Sequence, residues 1–108
     1  MPQLDYHKVI SIIGRTLESE ADIAVQKTAD RSEVFNITFS DRNGSKKDFK
    51  MINSHFRIEL QVGRSQFDEK TFNRWIKSFE YDLEQAFFTN IKVTVENDAS
   101  LYRIIVTT

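Results

Sequence analysis

Residues 67–88, FDEKTFNRWIKSFEYDLEQAFF, decide the fold. At about 100° per residue, Phe72, Trp75, Ile76, Phe79, Leu83, Ala86 and Phe87 fall within an arc of roughly 120°, which makes the segment a helix with one core-facing stripe. Asp68 stands where its carboxylate can accept a backbone N–H of the first turn. Phe67 and Phe72 then have the spacing of a hydrophobic staple. Phe88 leaves the stripe, and so marks the helix end or stands exposed. Tyr81 faces away from it between Arg74, Lys77 and Gln85, as expected of an aromatic lying on the surface with its hydroxyl in water.

A helix with one apolar stripe needs a second layer to cover it, and the period of the rest of the chain says what that layer is. An earlier helix, capped by Asp5, carries Tyr6, Val9, Ile10, Ile12, Ile13 and Leu17 on a broad arc and is expected to end near Glu18, with Leu4 and Val9 at staple spacing. Gly14 within it reads as tolerated rather than as a point of close packing. From Ile23 the period becomes two: Ile23/Val25, Phe35/Ile37/Phe39, Phe49/Met51, Phe56/Ile58/Leu60/Val62, Ile91/Val93/Val95 and Tyr102/Ile104/Val106. Strands that alternate this cleanly bury one face and wet the other. The expected architecture is therefore α+β: a two-layer sandwich of a mainly antiparallel six-stranded sheet with two helices on one face, in the order α-β-β-β-β-α-β-β, as one domain over residues 1–108. That order differs from the ferredoxin-like βαββαβ plan.

Turn lengths follow from keeping apolar faces together, because a slip of one residue reverses every side chain of a strand. Phe35, Ile37 and Phe39 share a face with Phe49 and Met51 only across an odd loop, so Arg42-Asn43-Gly44 is expected as a three-residue turn with Gly44 left-handed. The same rule and the local turn residues give a two-residue turn at Asn53-Ser54, a four-residue loop from Asn97 to Ser100, and an odd loop near Asp30-Arg31-Ser32. On this register Lys50 faces Arg57 and Asp48 faces Glu59.

Composition narrows the chemistry. The chain has 40% hydrophobic and 29% charged residues, a single proline and a net charge of −1, which describes a folded chain without a global field for nucleic acid or an anionic membrane. Cysteine is absent, so disulfides, thiolate catalysis and Cys-ligated zinc are excluded. No apolar run approaches the roughly 20 residues that span a bilayer, and the first residues lack a signal-peptide pattern, so a cytoplasmic protein is expected. The glycosylation patterns at Asn36 and Asn43 are read as chance.

The catalytic inventory is thin. His7 and His55 are the only histidines and lie near no patterned nucleophile or base. Glu80, Asp82 and Glu84 spread over about 200° of a helix and cannot share one metal. Asp41-Arg42-Asn43-Gly44 begins like a calcium loop, yet its glycine is fourth rather than sixth and no glutamate closes it. The three glycines form no phosphate cradle. No metal and no cofactor are therefore expected, and no enzymatic activity.

What remains is a surface. The uncovered sheet face should carry Lys50, Ile52, His55 and Arg57, an apolar residue among cations, extending to a basic tip at Arg42, Lys46 and Lys47. An apolar centre with a cationic rim suits a protein interface. The leading expectation is a non-enzymatic interaction module, such as an inhibitor, immunity, adaptor or chaperone-like protein, binding a protein partner by this face or by a sheet edge. A nucleic-acid binder using residues 42–50 is the second, and a small-ligand binder or enzyme with a pocket between helices and sheet the third; a homodimer is a further alternative use of the open face.

Overall fold

The computed structural model describes residues 4–28, 33–54, 56–87 and 91–108. Helix α1 (Tyr6–Thr16) is followed by strands β1 (Asp22–Lys27), β2 (Val34–Ser40), β3 (Lys46–Ser54) and β4 (Arg57–Gly63). A single 3-10 turn over Arg64–Gln66 leads into helix α2 (Glu69–Phe87), and β5 (Lys92–Asn97) and β6 (Leu101–Thr107) close the chain. The six strands form one sheet in the order β1-β2-β3-β4-β6-β5, every neighbouring pair antiparallel. The last hairpin thus joins the meander through β6 beside β4, leaving β1 and β5 as the edges.

Both helices cover the same side. Val9, Ile12 and Ile13 of α1 and Phe72, Trp75, Phe79 and Leu83 of α2 pack with Ile37, Phe39, Phe49, Met51, Leu60 and Ile104 of the sheet. Rings supply much of this contact: Phe72 stacks on Tyr102 with centroids 3.8 Å apart, and Trp75 stacks on Phe79 at 5.0 Å. The start of α2 is as the sequence implies. The Thr71 N–H donates to Asp68 Oδ2 at 3.3 Å, and the Phe67 and Phe72 rings meet at 5.5 Å. At α1 the His7 N–H donates to Asp5 Oδ1 at 3.0 Å, with Leu4 and Val9 both buried.

α1 ends two residues earlier than expected. The Glu18 N–H donates to the Arg15 carbonyl and the Ser19 N–H to the Gly14 carbonyl, the paired bonds of a Schellman cap, with Glu18 left-handed at φ 56° where glycine is usual. Gly14 is also more than tolerated: a Cβ there would lie 2.9 Å from the terminal methyl of Ile23 and 3.5 Å from the Phe39 ring. The helix approaches β1 and β2 closely at this point.

The first hairpin has its three-residue loop. Phe39 faces Lys47, Ile37 faces Phe49, and Gly44 has φ 83°. Asp41 Oδ1 accepts from the N–H groups of Asn43 and Ser45, both at 2.9 Å, which fixes the turn from within. Two other turns correct the expectation. Asn53-Ser54 is not a turn but the end of β3, with Asn53 opposite Ile58 and Ser54 opposite Arg57. The Ser54 hydroxyl, read as a turn signal, instead donates to the Arg57 carbonyl at 2.9 Å inside the ladder. Phe56, counted as core, therefore sits at the hairpin tip, 47% exposed. In the last hairpin the Asp98 N–H donates to the Leu101 carbonyl and Asn97 faces Tyr102, so the tip is Ala99-Ser100 rather than four residues. The loop near Asp30-Arg31-Ser32, His55 and Phe88 lie outside the described residues.

Candidate functional site

The side of the sheet away from the helices is built from alternate residues of all six strands, Asp22, Ala24 and Gln26 being those of β1, and the ladder fixes their neighbours. One row runs Asn36, Lys50, Gln61, Arg103, Glu96. The next runs Val34, Ile52, Glu59, Ile105, Thr94, and a third Ser54, Arg57, Thr107, Lys92. Since Lys50 faces Gln61 and Ile52 faces Glu59, the expected like-charge pairs Lys50–Arg57 and Asp48–Glu59 do not form. Asp48 accepts instead from the Thr38 hydroxyl at 2.7 Å.

Glu59 is the hub of this face. Its Oε1 accepts from Arg57 Nη2 at 3.1 Å, its Oε2 accepts from Gln61 Nε2 at 2.7 Å, and Arg103 Nε lies 3.1 Å from the same Oε2. Arg103 also reaches Glu96 at 3.6 Å. With its side chain only 12% exposed, Glu59 loses hydration, which pushes its pKa up. The bonds from Gln61 and Arg57 and the charges of Arg103 and Arg57 outweigh that loss, so the carboxyl sits below its ordinary value of 4.5. A lowered pKa in the folded state means stability that is present above the unfolded value and lost as pH falls through the folded one. Glu59→Gln is accordingly expected to lower the urea midpoint near neutrality, with the gap to the parent protein closing as the pH drops below 4.5. A gap that stays constant with pH would show that the carboxylate charge contributes nothing.

Ile52 and Ile105 flank Glu59 across the strands, both half-buried, as is Leu101 at the start of β6. Val34, at the end of their row, is buried on this face and stands outside the core cluster under the helices. The face thus combines aliphatic surface with a tied carboxylate and arginines held in position by it.

The residues singled out in the sequence do not all meet here. Lys50, Ile52 and Arg57 lie on the open face, and Lys46 lies on it at the far end of β3, opposite Ser40. Lys47 points to the helix side, its Nζ 5.1 Å over the Phe67 ring. Arg42 lines a shallow cleft of about 400 Å³ with Arg15, Glu18, Glu20 and Asp41. The basic tip is therefore divided by the plane of the sheet. Arg103, Gln61 and Glu59 belong to the centre of the face, and their alternation was visible in the sequence; only the position of β6 beside β4 makes them neighbours.

The chain matches no protein-family model, no curated protein and no solved structure. Function has to be read from the surface itself. Among the described residues no three His, Cys, Asp or Glu side chains are grouped to hold a metal ion, and no helix is long and apolar enough to cross a membrane.

Proposed function

We propose that the protein is a small interaction module whose open sheet face docks a protein partner presenting acidic groups around an apolar centre. The observation that carries this reading is the row Ile52, Glu59, Ile105, aliphatic at both sides of a carboxylate already neutralised by Arg57 and Arg103, on a sheet face with neither helix over it. Lys46, Lys50, Arg57, Lys92 and Arg103 outnumber Asp22, Asp48, Glu59 and Glu96 by one among the described residues on this side, against a chain whose net charge is −1. Arginines held by a neighbouring carboxylate lose little side-chain freedom on binding, and aliphatic side chains between them supply dry contact area. Nucleic-acid binding at residues 42–50 is less well supported, because Lys47 and Arg42 do not share a face with Lys46 and Lys50.

The test is affinity capture from the native lysate at two salt concentrations, with nuclease controls, using the parent chain and Lys50→Glu with Arg57→Glu. A nuclease-resistant protein should be captured by the parent and lost from a double variant whose circular dichroism and melting curve are unchanged. Undiminished capture by the folded double variant, loss of its fold, or a catch that disappears with nuclease overturns the proposal.

A further inference from the structure

One edge of the sheet is β5, Lys92–Asn97, which has no proline, glycine or bulge and keeps an unbroken register with β6. Its outer side pairs with no strand among the described residues. A regular edge of this kind is a template for another strand. We infer that β5 pairs antiparallel with β5 of a second copy of this chain, about a two-fold axis that passes through the sheet at Thr94. The result is a symmetric dimer with one continuous sheet. This surface is separate from the docking face, which the dimer leaves open in both copies.

The segment Lys92-Val93-Thr94-Val95-Glu96 is complementary to itself about its centre. Residues opposite each other in an antiparallel ladder share a face, so an axis at Thr94 sets Lys92 opposite Glu96 of the second copy, Val93 opposite its Val95, and Thr94 opposite its Thr94. Two-fold symmetry makes the ion pair twice. Among the described residues Lys92 has no carboxylate within ion-pair distance, and Glu96 has only Arg103, at 3.6 Å. Moving the axis by one residue sets Thr94 opposite Lys92 or Glu96 and undoes both Lys92–Glu96 pairs. The other edge lacks this symmetry. Self-pairing of β1 about Ala24 sets Asp22 opposite Gln26, and about Val25 it sets Lys27 opposite Ile23, so opposite charges within the strand do not meet.

The backbone fits the same axis. The Asp98 N–H donates to the Leu101 carbonyl, which closes the last hairpin with a hydrogen-bonded pair. Such pairs alternate along the ladder, so Glu96, Thr94 and Lys92 bond to β6, and Val93 and Val95 turn their N–H and C=O groups outward. These are the groups that the axis brings face to face, Val93 with Val95 of the second copy and Val95 with its Val93. Thr94 and the Lys92–Glu96 pairs then take the closer, non-hydrogen-bonded positions, where side chains meet most readily. On the helix side Val93 and Val95 pack against the core yet stay half-buried. The helical layer therefore does not close over this edge, and the valines of the two copies cover one another.

Light scattering for mass and NMR hydrogen exchange test the dimer on the whole chain. At about 1 mM, where even a weak association is populated, the parent should have the mass of a dimer. The Val93 and Val95 amides should gain protection between dilute and concentrated protein, whereas the Thr94 amide, bonded to β6, is protected throughout. Lys92→Glu and Glu96→Lys should each weaken association roughly tenfold, since each replaces both ion pairs by like-charge pairs. Mixed in equal amounts, the two variants should associate as strongly as the parent, because every pair again joins opposite charges. Lys50→Glu with Arg57→Glu, on the open face, should leave the dimer intact. If a charge variant fails to fold, the amide exchange of the parent decides. A parent that stays monomeric, a dimer that leaves the Val93 and Val95 amides unprotected, one that the single reversals do not weaken or the open-face variant does, or a mixture that fails to associate overturns the inference.

Discussion

Trp75→Ala is expected to destabilise the protein by about 3 to 5 kcal/mol, the range for emptying a large aromatic site in a core. Trp75 is 5% exposed and touches each layer of the fold: it stacks on Phe67 and Phe79, meets Phe49 of β3 edge-on at 5.9 Å, and donates to Thr16 of α1. Alanine leaves a cavity bounded by rings from α2 and β3, which cannot collapse together because the sheet and the helix backbone hold them apart. It also removes the part-buried hydrogen bond from Trp75 to Thr16 between the helices, leaving the Arg15–Asp82 hydrogen bond and ion pair at 3.3 Å, whose exposure makes it weak support. For a domain of this size the loss is a large part of total stability. Urea unfolding followed by far-ultraviolet circular dichroism measures it, since the variant has no tryptophan to follow. Tyr81→Ala, on the same helix but 62% exposed, should stay within about 0.5 kcal/mol of the parent. Similar losses from the two would show that Trp75 is not a core anchor.

The two α-helices, the strand count and the side of the sheet they cover were legible because each depends on periodicity, and periodicity is local. Face parity was legible for the same reason. Absolute register was not. Between the expected and observed pairings, β4 moves four residues along β3 and β6 moves two along β5, and no side chain changes face. Even shifts preserve what the alternation encodes, so nothing in the pattern opposes them. The polar residues at Asn53-Ser54 misled because a serine hydroxyl can serve a strand end as well as a turn.

The candidate site suffered most from this, since it is made of cross-strand neighbours. Lys50 opposite Arg57 is a repulsive pair, whereas Arg57 and Arg103 on one Glu59 carboxylate form a tied cluster, and the difference between them is the four-residue shift and the place of β6. Close approach is likewise invisible in one dimension: nothing in the helix pattern around Gly14 shows that the Ile23 methyl comes within 2.9 Å of where a Cβ would stand. Lys47 follows from parity alone, because a residue opposite Phe39 must share its face.

The register that was legible, at Arg42-Asn43-Gly44, gives the other large effect. Gly44→Val is expected to destabilise by about 2 kcal/mol, since a left-handed residue with a branched Cβ is strained in the native turn. The cause can be isolated because an added Cβ at Gly44 meets nothing within 4 Å, so no clash contributes. Gly44→Asn should then lose well under half as much, asparagine being tolerated at φ 83° where valine is not. Only a two-residue turn that left residue 44 at negative φ would relieve the valine, and it would set Phe39 opposite Asp48 and move Phe49 and Met51, both buried, to the wet face. That exchange exposes far more apolar surface than the strain it removes, so the variant must keep its register and carry the strain. Urea midpoints for the two variants, with NMR contacts between Ile37 and Phe49 as the register check, decide the matter. Equal losses for valine and asparagine, or contacts pairing Phe39 with Asp48 in either protein, would refute the account of the turn.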